Sequence, residues 1–405
     1  MIPDGFVLLD LGTARTTMLR VELTDGAMRY GGHISAATPG LRKGVVVSLP
    51  LAAEGIRLAS AALEQQTGIP VERVFLSISG SHVKGLGSQA GISLTSRSRE
   101  VTRDDARRVL DLARSITLPE DRQILHVVPQ EFVLDRQGGI LEPVGMLATR
   151  LEARVYAVTV SSPIKDNLVL AANQAGIEVQ ELIFAPLAVA EACLQAEERH
   201  AGVAIVDLGA GSTGIVVYSQ GSLAHAAVIP VGGDHFTNDI AIGLSTPQPE
   251  AERIKCNFGA VTSHSVGENS AIEVPSLGDG PPRLLPHRRL CECIEPRARE
   301  LIHLIHTEIA RPRQHEGGLG LGAGIVLSGG AGRLQGFSDM LADAVGVPVR
   351  TAEPMLIEGM PPELGEPEFA FTVGACYYAH RLISRQPRQL SLWEKLRQRW
   401  EAFAE

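Results

Sequence analysis

Long apolar runs, a cysteine framework and an excess of positive charge are all missing from this chain of 405 residues. No apolar stretch reaches the roughly 20 residues that a membrane-crossing helix needs. Five cysteines (Cys193, Cys256, Cys291, Cys293, Cys376), odd in number and scattered, fit a reducing compartment better than a set of disulfides. Cys291 and Cys293 have no second ligand pair nearby, and His303 and His306 read as a partly buried helix face, so no metal cluster is expected there. A formal net charge of −9 argues against general nucleic-acid binding. The opening residues MIPDGFVLLD carry no basic segment or cleavage site, so no secretory signal is expected. Hydrophobic residues at 44% and charged residues at 20% describe a folded protein, soluble or lying on a membrane surface, and its length calls for two or more domains.

What the chain has is one device used twice. In AIVDLGAGSTGIVVY, from Ala204 to Tyr218, an apolar strand runs into Asp207, a glycine-rich turn follows, and a second β-rich run leads out. VLLDLGTARTTMLRVE, from Val7 to Glu22, repeats it. Shifting by 197 residues sets Asp10 on Asp207, Gly12 on Gly209 and Thr16 on Thr213, which points to a duplicated unit. Taken singly, each is an ordinary hairpin turn. Facing one another, two such turns hold a polyphosphate: Gly12, Gly209 and Gly211 let backbone N–H groups approach, and Thr13, Thr16, Ser212 and Thr213 add donors. Asp10 and Asp207 are then placed to bind Mg²⁺ through water.

A third element follows the same logic. GIVLSGGAGRLQGFSDMLADAVG reads as strand, glycine turn and helix; Ser328 ends the strand, and Gly329, Gly330 and Gly332 let backbone lie flat against an adenine or ribose, although a plain βα connection has the same pattern. Glu252 and Lys255, three apart on a helix, are placed either to bond a ribose and flank the base or to form a surface ion pair.

The remaining chain divides by texture. Up to about residue 80, strands and an amphipathic helix over 51–67 make a mixed α/β layer. From Ser81 a compact strand–helix–strand–strand module interrupts it, with Thr102 as helix N-cap and Gln137-Gly138-Gly139 as a turn; an inserted module of this kind serves partners. The α/β pattern resumes with a helix near Pro163. VGGDHFTNDIAIGL reads as a turn, VPSLGDGPPRLLPH as a loop, and PRARELIHLIHTEIARP as a helix bounded by prolines.

Two hairpins and a double-glycine turn, in this order and spacing, resemble the two phosphate motifs and the adenosine motif of the actin-like ATPases. The inserted module, with HVVPQEF, VIPVGG, AERIK, IEVPSLG, IEPR and VLSGGAGRLQG, resembles the FtsA family of bacterial cell division proteins along nearly the whole chain. The resemblance implies an α/β, actin-like (ribonuclease H-like) two-lobed ATPase fold. It divides the chain into subdomain 1A (1–80 and 158–200), an inserted subdomain 1C (81–157), subdomain 2A (201–240, and 322–383 with the return to 1A), subdomain 2B (241–321), a linker (384–390) and an amphipathic helix (391–405). It further implies ATP with Mg²⁺, self-assembly into filaments, recruitment of later division proteins through the inserted subdomain, and anchoring of FtsZ. The FtsZ C-terminal peptide is expected on the helix after Pro296, with Arg297 and Arg299 for its acidic groups and Leu301, Ile305 and Ile309 for its apolar anchors. The departures are Gly214, where the family often has a second aspartate, and Arg15, where lysine is common. They imply secure binding and weak hydrolysis at most. Other readings are a PilM-like pilus-assembly scaffold, or a true ATPase or sugar kinase of the same fold.

Both tryptophans fall in the last 13 residues. On a helical wheel Leu392, Trp393, Leu396, Trp400 and Phe403 lie within about 120°, with charged residues opposite. The stripe is expected to lie in a lipid interface, as the resemblance also implies, at the cytoplasmic face of the cell membrane. Packing on the body of the protein is the alternative.

Overall fold

The computed structural model describes residues 5–95, 97–267, 269–278, 280–311 and 320–385. β1 (Gly5–Leu11) is buried from Phe6 to Leu9 because it lies inside a sheet covered on both faces. A turn at Gly12 leads into the antiparallel β2 (Arg15–Thr24), and β3 (Ala27–Ala37) pairs on its far side. After a small ladder of β4 (Leu41–Arg42) and β5 (Val45–Val46), α1 (Leu49–Thr67) buries Ile56, Ala59 and Leu63 and stops at Gly68 in the left-handed region. β6 (Arg73–Ile78) then runs parallel beside β1.

The chain next leaves the sheet. β7 (Lys84–Ser93), β8 (Arg99–Glu100), α2 (Arg103–Arg114), β9 (Arg122–Leu134), β10 (Gln137–Ile140), β11 (Leu147–Ala148) and β12 (Arg150–Ser161) form an α+β unit. Its sheet has the order β10-β9-β12-β7, and its own core holds Val109, Phe132, Leu151 and Val155. Thr102 and Asp105 close a capping box on α2. Gln137 to Gly139, expected as a turn, are instead strand β10. The reversal falls at Asp135 and Arg136, both at positive φ, where the Asp135 carboxylate accepts bonds from the Thr149 and Arg150 amides.

Two contacts tie this unit down. His126 Nε2 accepts from the buried Phe184 amide at 3.0 Å, and Gln130 Nε2 donates to the Leu223 carbonyl at 2.7 Å. The first holds it on its host lobe and the second on the other lobe.

α3 (Ser162–Gln174), β13 (Glu178–Phe184), α4 (Ala185–Cys193) and α5 (Ala196–Ala201) complete the first lobe, whose sheet order is β13-β6-β1-β2-β3. The second lobe repeats it. β14 (Val203–Leu208), β15 (Thr213–Ser219) and β16 (Ser222–Ile229) are antiparallel neighbours. Then come α6 (Gly233–Gly243), α7 (Gln248–Phe258), β17 (Ala271–Val274), β18 (Arg283–Pro286) and α8 (His287–Ala310). β19 (Ile325–Ser328), α9 (Phe337–Val345) and β20 (Val349–Thr351) close a sheet ordered β16-β15-β14-β19-β20, with β19 parallel to β14 as β6 is to β1. α10 (Ala370–Arg385) returns to pack on α4 and β1.

Three segments of the second lobe differ from expectation. Residues after Gly232 form α6 rather than a turn, because Phe236 and Ile240 bury one face and the His235 ring accepts the Gly232 amide at the helix start. The loop-like stretch after Pro275 ends in β18, paired with β17. α8 begins at His287 and runs through Pro296. Proline inside a helix costs about 3 kcal/mol, but Leu290, Cys291 and Ile294 before it and Ala298, Leu301 and Ile305 after it share one buried face.

Candidate functional site

The cleft between the lobes collects the glycine turns. The Gly12 amide donates to the Arg15 carbonyl and the Gly209 amide to the Ser212 carbonyl, both at 3.0 Å, so the two hairpins close identically. They also touch. A Cβ on Gly211 would stand 2.5 Å from Thr13 Oγ1 and 2.8 Å from the Lys43 Cα, so the approach leaves room only for glycine.

Each aspartate ends its strand beside a serine on the parallel neighbour: Asp10 opposite Ser77 of β6, Asp207 opposite Ser328 of β19. Burial pushes Asp10 up to about 7, against a Ser77 hydrogen bond that lowers it, and the charge of Asp207 raises it further. Burial likewise pushes Asp207 up to about 6, against the bond from Ser328. Among the described residues neither carboxylate has an ion-pair partner. Two hard, uncompensated oxygen ligands facing one cleft suit a hydrated divalent cation. The residues present therefore fit Mg²⁺, and Asp10 and Asp207 would hold it.

Asp10, Gly12, Thr13, Arg15, Asp207, Gly209, Gly211, Ser212, Glu252, Lys255, Gly329 and Gly330 all line this cleft. Four expected members stand behind its wall. Thr16 is buried with its hydroxyl 2.8 Å from that of Thr38, and Thr213 donates to the Val231 carbonyl at 2.7 Å. Ser328 supports Asp207, and Gly332 packs against Leu327. Lys255 is buried and bonds Glu252 Oε2 at 2.6 Å, the Thr237 hydroxyl at 2.9 Å and the Gly233 carbonyl at 3.2 Å. The Glu252–Lys255 pair is therefore built into the cleft. Burial works against the Glu252 ion, but Lys255 outweighs it and holds its carboxyl below the ordinary range.

Sequence reasoning missed Ser77, Thr17, Ser79, Gly44, Gly233 and Glu368, which also line the cleft. Ser77 was legible: FLSIS ends its strand as IVLSGG does. Glu368 was not, since it arrives from a short helical turn (367–369) just before α10.

Gly214 has a steric reason. A Cβ there would overlap the Pro186 ring at the start of α4, so no aspartate fits without moving that helix.

The expected peptide anchors need correction. Leu301, Ile305 and Ile309 point into the second-lobe core and are buried, and Arg297 is bound by Asp239 at 2.8 Å and by Glu300. Arg299 is exposed, paired to Glu295 at 2.7 Å. It lines a separate cavity of ≈ 710 Å³ with His303, His306, Asp339 and Met340. Leu392, Trp393, Leu396, Trp400 and Phe403 lie outside the described residues. Among the described residues no helix is long and apolar enough to cross a membrane, and no cluster of three or more histidine, cysteine or acidic side chains is arranged to hold a metal.

Comparison with known proteins identifies the family and the fold. The family model for cell division protein FtsA matches residues 204–374, and that for the SHS2 domain inserted in FtsA matches 80–159. The cell division protein FtsA of Pseudomonas aeruginosa is 36% identical over 371 residues, covering 91% of this chain and 88% of that one. Among solved structures, the PilM–PilN type IV pilus biogenesis complex aligns with a TM-score of 0.64 at 18% identity, over 93% of this chain and 98% of its partner in the alignment. MreB5 of Spiroplasma citri bound to ADP aligns with a TM-score of 0.52 at 13% identity, over 95% and 98%. At these identities the structural likeness establishes the actin-like fold.

Proposed function

The chain belongs to the FtsA family of cell division proteins, and from that premise we propose that it is a membrane-tethered, ATP-binding protein that polymerises, anchors FtsZ to the membrane and recruits later division proteins. One observation carries the nucleotide half of this reading. Two hairpins of identical closure face each other, each with an aspartate supported by a serine, and the Glu252–Lys255 pair and Gly329–Gly330 complete the same cleft. The hairpins take the phosphates, Asp10 and Asp207 take Mg²⁺, and Gly329, Gly330, Glu252 and Lys255 take the nucleoside. Hydrolysis is slow, because Gly214 supplies no carboxylate and the other acids of the cleft are committed: Glu252 to Lys255, Glu368 to Arg15.

The acidic FtsZ peptide docks beside Arg299, His303 and His306, on the open side of α8, rather than on that helix's buried face. The tail binds lipid through Trp393, Trp400 and the leucines beside them. Burying each such side chain is worth roughly 1.5–3 kcal/mol, enough for reversible attachment that strengthens when subunits assemble.

Calorimetry with Mg-ATP and co-sedimentation with liposomes and FtsZ peptide test these parts separately. Deleting residues 390–405 is expected to abolish liposome binding and leave ATP affinity unchanged. A truncated protein that unfolds, or loses ATP, places the helix in the core and defeats the membrane reading.

A further inference from the structure

The cleft has a charge imbalance. Its lining holds four carboxylates (Asp10, Asp207, Glu252, Glu368) against two cations (Arg15, Lys255), and each cation is already paired, Lys255 with Glu252 and Arg15 with Glu368. The Arg15–Glu368 pair spans 2.6 Å at the cleft mouth, with Arg15 about half exposed and Glu368 more sheltered.

Glu368 is held in place from behind. The Pro367 carbonyl accepts from the Gly329 amide and the Ser328 hydroxyl, both at 3.1 Å, which pins this short turn against the double-glycine element of the second lobe. Arg333, on that lobe, approaches Glu368 at 3.8 Å and bonds Glu366 at 3.2 Å. Arg15 comes from the first lobe. The carboxylate thus stands between two arginines at the point where the lobes meet, facing the space in which the nucleotide reading puts phosphates.

A carboxylate there acts on a polyphosphate in two ways. It holds Arg15 Nη1, which cannot be given fully to a phosphate oxygen at the same time, and its charge adds repulsion inside a partly enclosed site. We propose that Glu368 is an affinity-setting residue: it competes with nucleotide phosphate for Arg15 and makes binding depend on a divalent cation to offset the negative cleft. The proposal rests on the nucleotide reading above and assigns that site its built-in competitor.

The test is calorimetric titration of the full chain with ADP, in Mg²⁺ and in EDTA. Glu368→Gln keeps the shape and removes the charge. It is expected to tighten ADP three- to tenfold in Mg²⁺, and by a larger factor in EDTA, where no cation offsets the cleft. Glu368→Ala shifts affinity in the same direction, which guards against an effect peculiar to glutamine. Glu366→Gln, which contacts Arg333 outside the cleft, leaves affinity within twofold. Arg15→Gln weakens ADP and halves or abolishes the gain from Glu368→Gln in the double variant. A parent that binds ADP, with Glu368→Gln unchanged or weaker, overturns the competitor role and identifies Glu368 as a support for Arg15. A parent that binds no ADP in Mg²⁺ overturns the nucleotide reading itself, and this inference with it.

Discussion

The two hairpins share closure, register and the aspartate–serine pairing, yet differ at their tips and exits. Ala14 stands in the first where Gly211 stands in the second, and Thr17 where Gly214 stands. Each difference has a local cause. Gly211 meets the first hairpin at Thr13 and the β4–β5 turn at Lys43, whereas Ala14 is exposed. Gly214 lies under Pro186, whereas Thr17 lines the cleft. What both halves retain is the hairpin closure and the aspartate–serine pair, and where they differ the glycine is the member that packs on something. A duplicated frame therefore carries an asymmetric cleft: Arg15 comes from the first lobe, and the closest backbone approach, at Gly211, from the second.

The largest effect is expected at the tips. Gly211→Val forces the hairpins apart and is expected to lower nucleotide affinity at least ~100-fold, the scale of a side chain placed in a space with no room for it. Ala14→Ser, at the matching position, should change it less than about twofold. Calorimetry on both variants decides; equal losses would show that the tips are equivalent after all. At the exits, Gly214→Asp overpacks against Pro186 and is expected to cost about 1–3 kcal/mol of stability in denaturant titration. Adding Pro186→Ala should recover most of that loss. If Gly214→Asp is neutral alone, Pro186 is not the reason for the glycine.

The first half hosts the inserted α+β unit, and its anchoring gives the next effect. The His126 ring is buried between the Phe184 amide, which donates to Nε2, and the Tyr378 hydroxyl, 3.1 Å from Nδ1. Burial, helped by the charge of Arg381, lowers its pKa to about 4. Burial and Arg122 lower His82 to about 4 as well. A histidine whose folded pKa lies below its unfolded value near 6.5 contributes stability that is present above 6.5 and lost as pH falls towards 4. Stability is expected to decline across that window by a few kcal/mol, and His126→Asn should flatten the decline. A slope unchanged in His126→Asn would free that ring from the role.

How much of this was legible follows from the same contrast. Both hairpins, the double-glycine turn and the inserted unit announce themselves through local chemistry: alternating apolar residues, glycines at turns, and a Thr102–Asp105 cap. The buried face of α8 was misjudged because amphipathic spacing gives a stripe without saying which neighbour covers it; the second-lobe core takes Leu301 and Ile305. The α8 start was missed because proline is a breaking signal locally and packing overrides it. Glu368 and Pro186 act through contacts that local spacing does not encode: Arg15 and Glu368 are 353 residues apart, and Pro186 meets Gly214 across a helix and a strand.

The smallest effect sharpens the comparison at the aspartate–serine pair that both halves carry. Ser77 accepts the Leu11 amide at 2.8 Å through its hydroxyl oxygen and is left with its proton for Asp10. Ser328 has the same single proton and two acceptors, Asp207 and the Pro367 carbonyl at 3.1 Å. One hydroxyl supports its carboxylate fully; the other divides its support. A hydrogen bond to a charged group is worth about 1.5–3 kcal/mol when undivided. Ser77→Ala is therefore expected to weaken Mg-nucleotide binding by roughly tenfold and to cost stability as well, since it also orphans a buried amide. Ser328→Ala should weaken binding by only about two- to threefold. Parallel calorimetry and denaturant titration of the two variants give the ratio. Equal losses in both measurements would mean that Ser328 gives its proton wholly to Asp207, and that at this level the two halves have stayed alike.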